Sequence, residues 1–456
     1  MTLSRDIKPI PEKNISFSLP KIEKFTLTNG LEVLYIQKNK LPIMRLNLIT
    51  RAGSKFDPKN KKGLANLFAM SIDEGAGDYS SLELSEEFDF LGTSFNANTN
   101  QDRVHLSIQT LTENFDRSLE LFSMIIKNPH FNEEDILRQQ RKVLTQLIQL
   151  KDEPEEIANL IFSYYLWGKH NPYAFPVNGY ENDVKKISSQ DLKNHYLEYF
   201  TPENSTLVAV GNLGKDQLAN ELNKNLSKWN VINKAKKTGI KTKEKQRLIL
   251  LINKENSVQS EIRVGHIASP RDQKDFFKKL ILNTILGGPF TSRINMNLRE
   301  DKGYTYGASS SFGYYEDGGF FLVSTSVGID NTANALIEII NELNNIKEGI
   351  STEELNIAKS FLIRQFPSNF ETYGQIASNL SILVAHSLPD NYFNNYIDNL
   401  ESVSIDDVNL IAKESIFSDK LIIVIVGDAE KLLHQLKEAK FEDIITTDYM
   451  GKPIDK

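Results

Sequence analysis

The sequence contains no cysteine, which excludes disulfide bridges, iron–sulfur clusters and thiolate zinc sites. That absence alone assigns no compartment. Long hydrophobic runs are also missing: the strongest, Leu421–Val426, is far too short to span a bilayer. Positive charge is in deficit. The 53 Lys and Arg against 60 Asp and Glu leave a net charge of −7, which argues against a nucleic-acid partner. The seven histidines are His105, His130, His170, His195, His266, His386 and His434, and none stands three or four residues from another. No helix can therefore present two imidazoles on one face. Ordinary core or surface histidines are favoured over a metal site assembled from them. The segment Met1–Pro9 has no apolar stretch of signal-peptide length. A soluble, cytoplasmic chain without membrane insertion is expected, or a periplasmic one if a signal has been removed.

The 456 residues, 25% charged and 40% hydrophobic, are those of an ordinary globular protein of two to four domains. Their strongest organising feature is repetition. Ile187–Leu192 recurs as Val403–Val408, and Thr206–Asn212 as Ile422–Asp428, both at an offset of 216. Glu134–Ile136 matches Glu353–Leu355 at an offset of 219. Blocks repeated in the same order at so long a period indicate a duplicated domain rather than a solenoid.

Strands are predicted over Leu31–Ile36 (after the hairpin signal Asn29-Gly30), Ile43–Thr50, Phe95–Ile108 and Thr206–Val210. Helices are predicted over Leu64–Glu74 and Leu82–Leu91, stopped by Gly75 and Gly92, and over Glu133–Lys151, Pro154–Trp167 and Gln190–Tyr199. Asn132 is a candidate cap, and Asp73-Glu74 and Glu133–Asp135 read as helix-terminal surface acids. The expected fold class is α+β: two homologous domains, each a mixed, mostly antiparallel sheet with helices packed on it. The predicted boundaries are 1–225 and 248–456, joined by a linker at 226–247. Between Lys234 and Arg247 that linker holds six lysines, one arginine and a single acid, a charge-extended segment compatible with a hinge.

The first half carries Gly63-Leu64-Ala65, Glu74-Gly75, Leu91-Gly92 and Phe95-Asn96-Ala97 with Asp102. The second carries Leu286-Gly287-Gly288, Ser292-Arg293-Ile294, Leu298-Arg299-Glu300, Lys302–Tyr306 and Ser309. This ordered set, from about Phe25 to Gly427, resembles the pitrilysin/insulysin family of zinc metallopeptidases. The resemblance implies that the two domains form half of a clamshell. In active members five helical positions read His-x-x-Glu-His, supplying two zinc ligands and a general base; here they hold Asn66, Ala69 and Met70. The third ligand, a glutamate 76 residues beyond the last histidine, falls on Gln146. A catalytic zinc needs three protein ligands and an open water position. This chain is expected to bind no metal and to hydrolyse nothing alone.

The second half differs. Arg299 and Tyr306 match, in type and spacing, the family's arginine–tyrosine pair, which reaches across the chamber to the zinc site. A cation and a phenol can stabilise the oxyanion formed when water attacks a peptide carbonyl. The plain alternative pairs Arg299 with Glu300, Asp301 or Glu316 and packs Tyr306 in a strand; the motif context favours the functional reading. Ser292 and Arg293 read as packing residues. Asn96 and Ala97 lie where relatives pair an edge strand with substrate backbone.

The resemblance thus implies a non-catalytic, substrate-binding subunit of a heterodimeric zinc peptidase. Its partner would be a homologous active subunit holding the zinc, and the pair would cleave peptides or small unfolded polypeptides. A structural core-type subunit, or a peptide-binding homodimer, is the alternative. The compact Leu286–Phe290 argues against a presequence-handling subunit, which carries a long glycine-rich loop there.

Overall fold

The computed structural model describes residues 15–230, 246–271, 273–449 and 451–453. The N-terminal segment Met1–Pro9 and most of the basic linker lie outside them.

Two six-stranded sheets organise the chain. The first contains β1 (Glu23–Thr26), β2 (Glu32–Gln37), β3 (Ile43–Thr50), β4 (Ser94–Thr99), β5 (Val104–Leu111) and β6 (Ser205–Gly211). Its order is β1-β2-β6-β3-β5-β4, antiparallel except where β2 meets β6. The second contains β7 (Leu248–Asn253), β8 (Gln259–Ala268), β9 (Thr305–Tyr315), β10 (Gly318–Gly328), β11 (Ile422–Gly427) and β12 (Ile444–Thr447), in the order β12-β7-β11-β8-β10-β9. The duplication extends to register. Glu32 faces Thr206 in the first sheet, and Leu248 faces Ile422 in the second. The two central strands keep the sequence offset of 216. Only the outer strand differs, β1 being antiparallel to β2 and β12 parallel to β7.

The helices of the first half include α1 (Leu64–Ser71), α2 (Ser81–Phe90), α3 (Phe115–Lys127), α4 (Glu133–Leu150) and α5 (Pro154–Trp167); α1, α2 and α3 pack on its own strands, and α4 packs on α1. Repeated sequence makes repeated caps. Ser188 donates to Asp191 at 2.7 Å, and Ser404 donates to Asp407 at 2.8 Å, each opening a helix with a capping box. At the end of α2, Gly92 adopts φ +59 and the chain closes with Thr93 N–H on Phe88 C=O, a glycine-dependent stop.

Three local expectations need correction. Asn132 stands at the start of α4 in extended conformation but makes no side-chain cap. Helix α1 ends at Ser71, short of Gly75, because Glu74 turns inward. Only 8% exposed, Glu74 accepts from Ser81 Oγ at 2.7 Å and from Gln139, and it pairs with Arg138. It is a buried organising acid, not a surface one. Gly75, at φ +101, lets His130 approach where a Cβ would sit 2.6 Å from its Nδ1.

Strands β6 and β11 are buried along their apolar runs, which requires cover on both faces. The cover is exchanged between halves. Helix α5 of the first half packs on β8 and β11 of the second, and helix Tyr373–Ala385 of the second packs on β3 and β6 of the first. Val208 and Val210 therefore share one core with residues of the second half, while Leu207 and Ala209 face the first half's own helices. Such interlocking does not fit a hinge between freely moving halves. Leu226 and Trp229, at the start of the expected linker, are buried in the first half's core.

Candidate functional site

Helix α1 is firmly built. The buried Asp57 carboxylate accepts from Gly63 N–H at 2.8 Å and Ala65 N–H at 2.9 Å, satisfying two donors of its first turn. Phe68, on the inner face, packs against Phe131, His195 and Phe200 with ring centroids 5.0–5.6 Å apart. Burial pushes His195 down to about 4, and the neutral ring donates from Nε2 to Ala52 C=O at 3.0 Å.

On the adjacent face stand Asn66 and Met70, both half-buried, with Asn66 Nδ2 donating to Met70 Sδ at 3.7 Å. Ala69 is buried and offers no proton acceptor. Gln146 is exposed on α4, the helix that packs against α1. An amide, a thioether and a second amide do not fit zinc in a peptidase site, and the first two already satisfy each other. Asp73, one turn past Met70, is half-buried with its carboxyl pushed up to about 6 by burial.

Among the described residues, one cluster has carboxylates close enough to hold a metal: Asp102, Glu316 and Asp317. Lys55 fills it. Its ammonium lies 3.0 Å from Asp102, 2.7 Å from Glu316 and 3.0 Å from Asp317, with its side chain 3% exposed. Burial works against the charged lysine, but Asp102 and Glu316 outweigh it and hold its pKa above the ordinary value. Tyr173 Oη adds a hydrogen bond to Asp102 at 2.7 Å, and Glu316 N–H donates to Asp102 at 2.9 Å. The network ties the β4–β5 turn to the tip of the β9–β10 hairpin, one from each half. Sequence inspection singled out Asp102 and Glu316 separately but could not join residues more than 200 positions apart.

Arg299 and Tyr306 occupy two local irregularities. Arg299 lies in a π-helical turn, Met296–Asp301, a distortion often found at functional sites. Tyr306 lies at a bulge: β9 places Tyr306 and Gly307 between the pairs Thr305–Val327 and Ala308–Thr325, opposite Ser326 alone. Thr305 pins this bulge, donating to Ser326 C=O at 2.7 Å and accepting from Gly307 N–H at 3.0 Å. Tyr306 is consequently 90% exposed rather than packed in its strand.

Arg299 is half-buried, and among the described residues its side chain makes no hydrogen bond. The nearest carboxylate, Glu300, is 3.6 Å from its Nε, and Phe290 lies under the guanidinium at 4.9 Å. Glu316 is engaged by Lys55 and Arg51 instead. Arg293 shows the contrasting state, bound to Glu354 at 2.6 and 3.0 Å and to Gly349 C=O at 3.0 Å. The Leu286-Gly287-Gly288 motif has a packing cause. A Cβ on Gly287 would lie 2.4 Å from Ser310 Oγ, blocking the approach of helix Gln273–Gly287 to β9.

Asn96 and Ala97 sit on β4, an edge of the first sheet, with Asn96 exposed and its amide oxygen accepting from Asn98 at 3.2 Å. That edge leaves backbone groups available to an added strand. A cavity of about 410 Å³ lies between α4 and α5, lined by Gln101, Leu147, Leu150, Ile157 and Tyr449, and no residue of β4 lines it.

A duplicated α+β scaffold of two six-stranded sheets, with no His-x-x-Glu-His motif anywhere in the chain, defines a homologue of the two-domain metallopeptidases. Family models agree: one described as insulinase, peptidase family M16, matches residues 32–169, and one described as peptidase M16 inactive domain matches residues 186–362. The chain belongs to the insulinase family, M16, as a member without the His-x-x-Glu-His motif. It is 23% identical to a Bacillus subtilis protein named uncharacterized zinc protease YmxG, over 89% of this chain and 98% of that one. Two Helicobacter pylori proteins are also similar. One, named non-peptidase homolog YmxG, is 24% identical over 88% of this chain and 92% of its own; the other, named zinc protease PqqE, is 25% identical over 79% and 82%. The solved peptidase M16 inactive domain from Pseudomonas fluorescens superposes with a TM-score of 0.84 at 22% identity, covering 89% of this chain and 98% of that structure. Among the described residues no helix is long and apolar enough to cross a membrane.

Proposed function

We infer that this chain is the non-catalytic, substrate-binding subunit of a heterodimeric zinc peptidase. One observation carries the reading: in the first half Asn66, Ala69, Met70 and Gln146 offer no group suited to hold or use zinc, while the second half keeps an arginine whose side chain makes no hydrogen bond among the described residues and a tyrosine that is 90% exposed. A residue pair poised for a carbonyl oxygen has no chemistry to assist within this chain. It has chemistry to assist if a homologous subunit brings zinc to it. The presence in one Helicobacter pylori strain of two similar proteins, one named a non-peptidase homolog and one a zinc protease, supports such a division of labour.

In this reading the zinc and the general base belong to the partner. Arg299 offers a planar set of N–H donors and Tyr306 an O–H donor to the carbonyl oxygen as negative charge develops on it. The free edge of β4, at Asn96 and Ala97, pairs with extended peptide backbone and holds it in the chamber. Peptides or small unfolded polypeptides are the substrates such an edge accepts.

The test mixes the purified chain with a zinc-bearing homologue from the same organism and follows cleavage of an unstructured fluorogenic peptide. Neither chain alone should match the mixture, and zinc should copurify with the partner only. If Arg299→Ala or Tyr306→Phe in this chain leaves the mixture's rate unchanged, the shared site is refuted. Peptide retained by this chain alone, without a partner and without cleavage, would favour the capture homodimer instead.

A further inference from the structure

Phe290 is 68% exposed, and no core requires it. Its ring centroid lies 4.9 Å from the guanidinium carbon of Arg299. The turn that carries it is fixed: Ser292 N–H donates to Pro289 C=O at 3.0 Å, and Asn295 Nδ2 donates to the same oxygen at 3.3 Å. Asn295 is itself buried, and its Oδ1 accepts from Ala308 N–H at 2.9 Å on β9. One side-chain amide therefore joins the Phe290 turn, the helical segment leading to Arg299 and the strand that presents Tyr306.

An arginine held by carboxylates has its donors committed, as Arg293 does. An arginine kept ready for a ligand needs a different anchor. Stacking on an aromatic face holds the guanidinium by its plane and leaves the N–H edges open. Glu300, at 3.6 Å from Nε, is too distant for a hydrogen bond and cannot replace that anchor.

We propose that Phe290 is a positioning residue for Arg299, orienting its guanidinium for a peptide carbonyl or carboxylate without occupying its donors. The catalytic consequence rests on the shared-site reading above, whereas the stacking does not.

The experiment uses the full-length chain labelled with nitrogen-15 at arginine Nε, with Arg299→Ala to assign the signal, and the same variants mixed with the zinc-bearing homologue and an unstructured fluorogenic peptide. Phe290→Ala should lower the Nε–H order parameter of Arg299, and Phe290→Trp should retain it, with melting temperature unchanged in both. In the mixture, Phe290→Ala should reduce kcat about two- to fivefold with little change in KM, the range expected of an exposed cation–π contact. Phe290→Trp should restore the rate, and Phe290→Ala should add nothing to Arg299→Ala.

Unchanged Arg299 order and unchanged rate in Phe290→Ala, while Arg299→Ala abolishes cleavage, would overturn the role of Phe290 and leave that of Arg299 intact. If Arg299→Ala itself has no effect on cleavage, the shared-site reading fails, and the order parameter alone decides whether Phe290 holds the guanidinium. Equal losses of melting temperature in Phe290→Ala and Phe290→Trp would reduce Phe290 to a structural residue and also overturn the proposal.

Discussion

The two halves repeat one architecture, yet their backbones behave differently where chemistry is expected. In the first half, α1 is a regular helix and β4 pairs with β5 in unbroken register. Its vacated positions are filled by groups that satisfy each other, Asn66 on Met70, above a packed layer of Phe68, Phe131, His195 and Phe200. In the second half, Arg299 sits in a π-helical turn and Tyr306 on a pinned bulge, and both side chains are left without hydrogen bonds among the described residues. Irregular backbone costs stability, and proteins keep it where a side chain must be aimed. At these positions the first half is regular, and the second carries two backbone irregularities that aim a side chain each.

The contrast can be broken most severely at the joint between halves. Lys55→Met should destabilise the chain by about 3–5 kcal/mol, because it removes the cation shared by three carboxylates and leaves Asp102 and Asp317 with no other ion pair among the described residues, while Glu316 keeps Arg51. Chemical denaturation would measure it, and a loss below about 1 kcal/mol would show that the network does not hold the halves together. Next in size is the second half's chemistry. Arg299→Ala should lower kcat of the two-chain mixture by about 10²–10³, the typical effect of losing one oxyanion donor, with the melting temperature unchanged.

A third prediction concerns acid. Burial holds His195, on helix Ser189–Tyr199 of the first half, and His266, on β8 of the second, near 4 instead of 6.5. Unfolded chains then bind protons that the folded chain refuses, so stability is intact above about pH 6.5 and falls as pH drops toward 4, by up to about 1.4 kcal/mol per pH unit for each histidine. Melting temperature against pH checks this, and His195→Gln should flatten part of the slope. The smallest effect is expected at the emptied site. Met70→Leu, a near-isosteric change, should cost less than about 1.5 kcal/mol and leave the mixture's cleavage rate unaltered. A large loss of rate there would mean that the vacated face still handles substrate.

Much of the fold could be read in advance because it follows local rules. Ile43–Thr50 and Pro154–Trp167 were delimited by β-propensity, proline and glycine signals that tertiary contacts did not override. The ends that moved did so for non-local reasons, as when Glu74 turned away from α1 toward Arg138 and Gln139. The pair Arg299 and Tyr306 was found through motif spacing. Phe290 and Asn295, which connect and orient it, carry no spacing signal, since an exposed phenylalanine beside a glycine pair has many ordinary explanations.

The sequence by itself determined that the chain is a duplicated α+β protein and that it carries no His-x-x-Glu-His motif, because repetition and residue identity are properties of the string. Only the tertiary structure decided that the halves exchange covering helices, that Lys55 occupies the carboxylate cluster, and that the side chains of Arg299 and Tyr306 make no hydrogen bond among the described residues. Those facts depend on contacts between residues far apart in the chain, and on backbone irregularities set by packing rather than by any local preference.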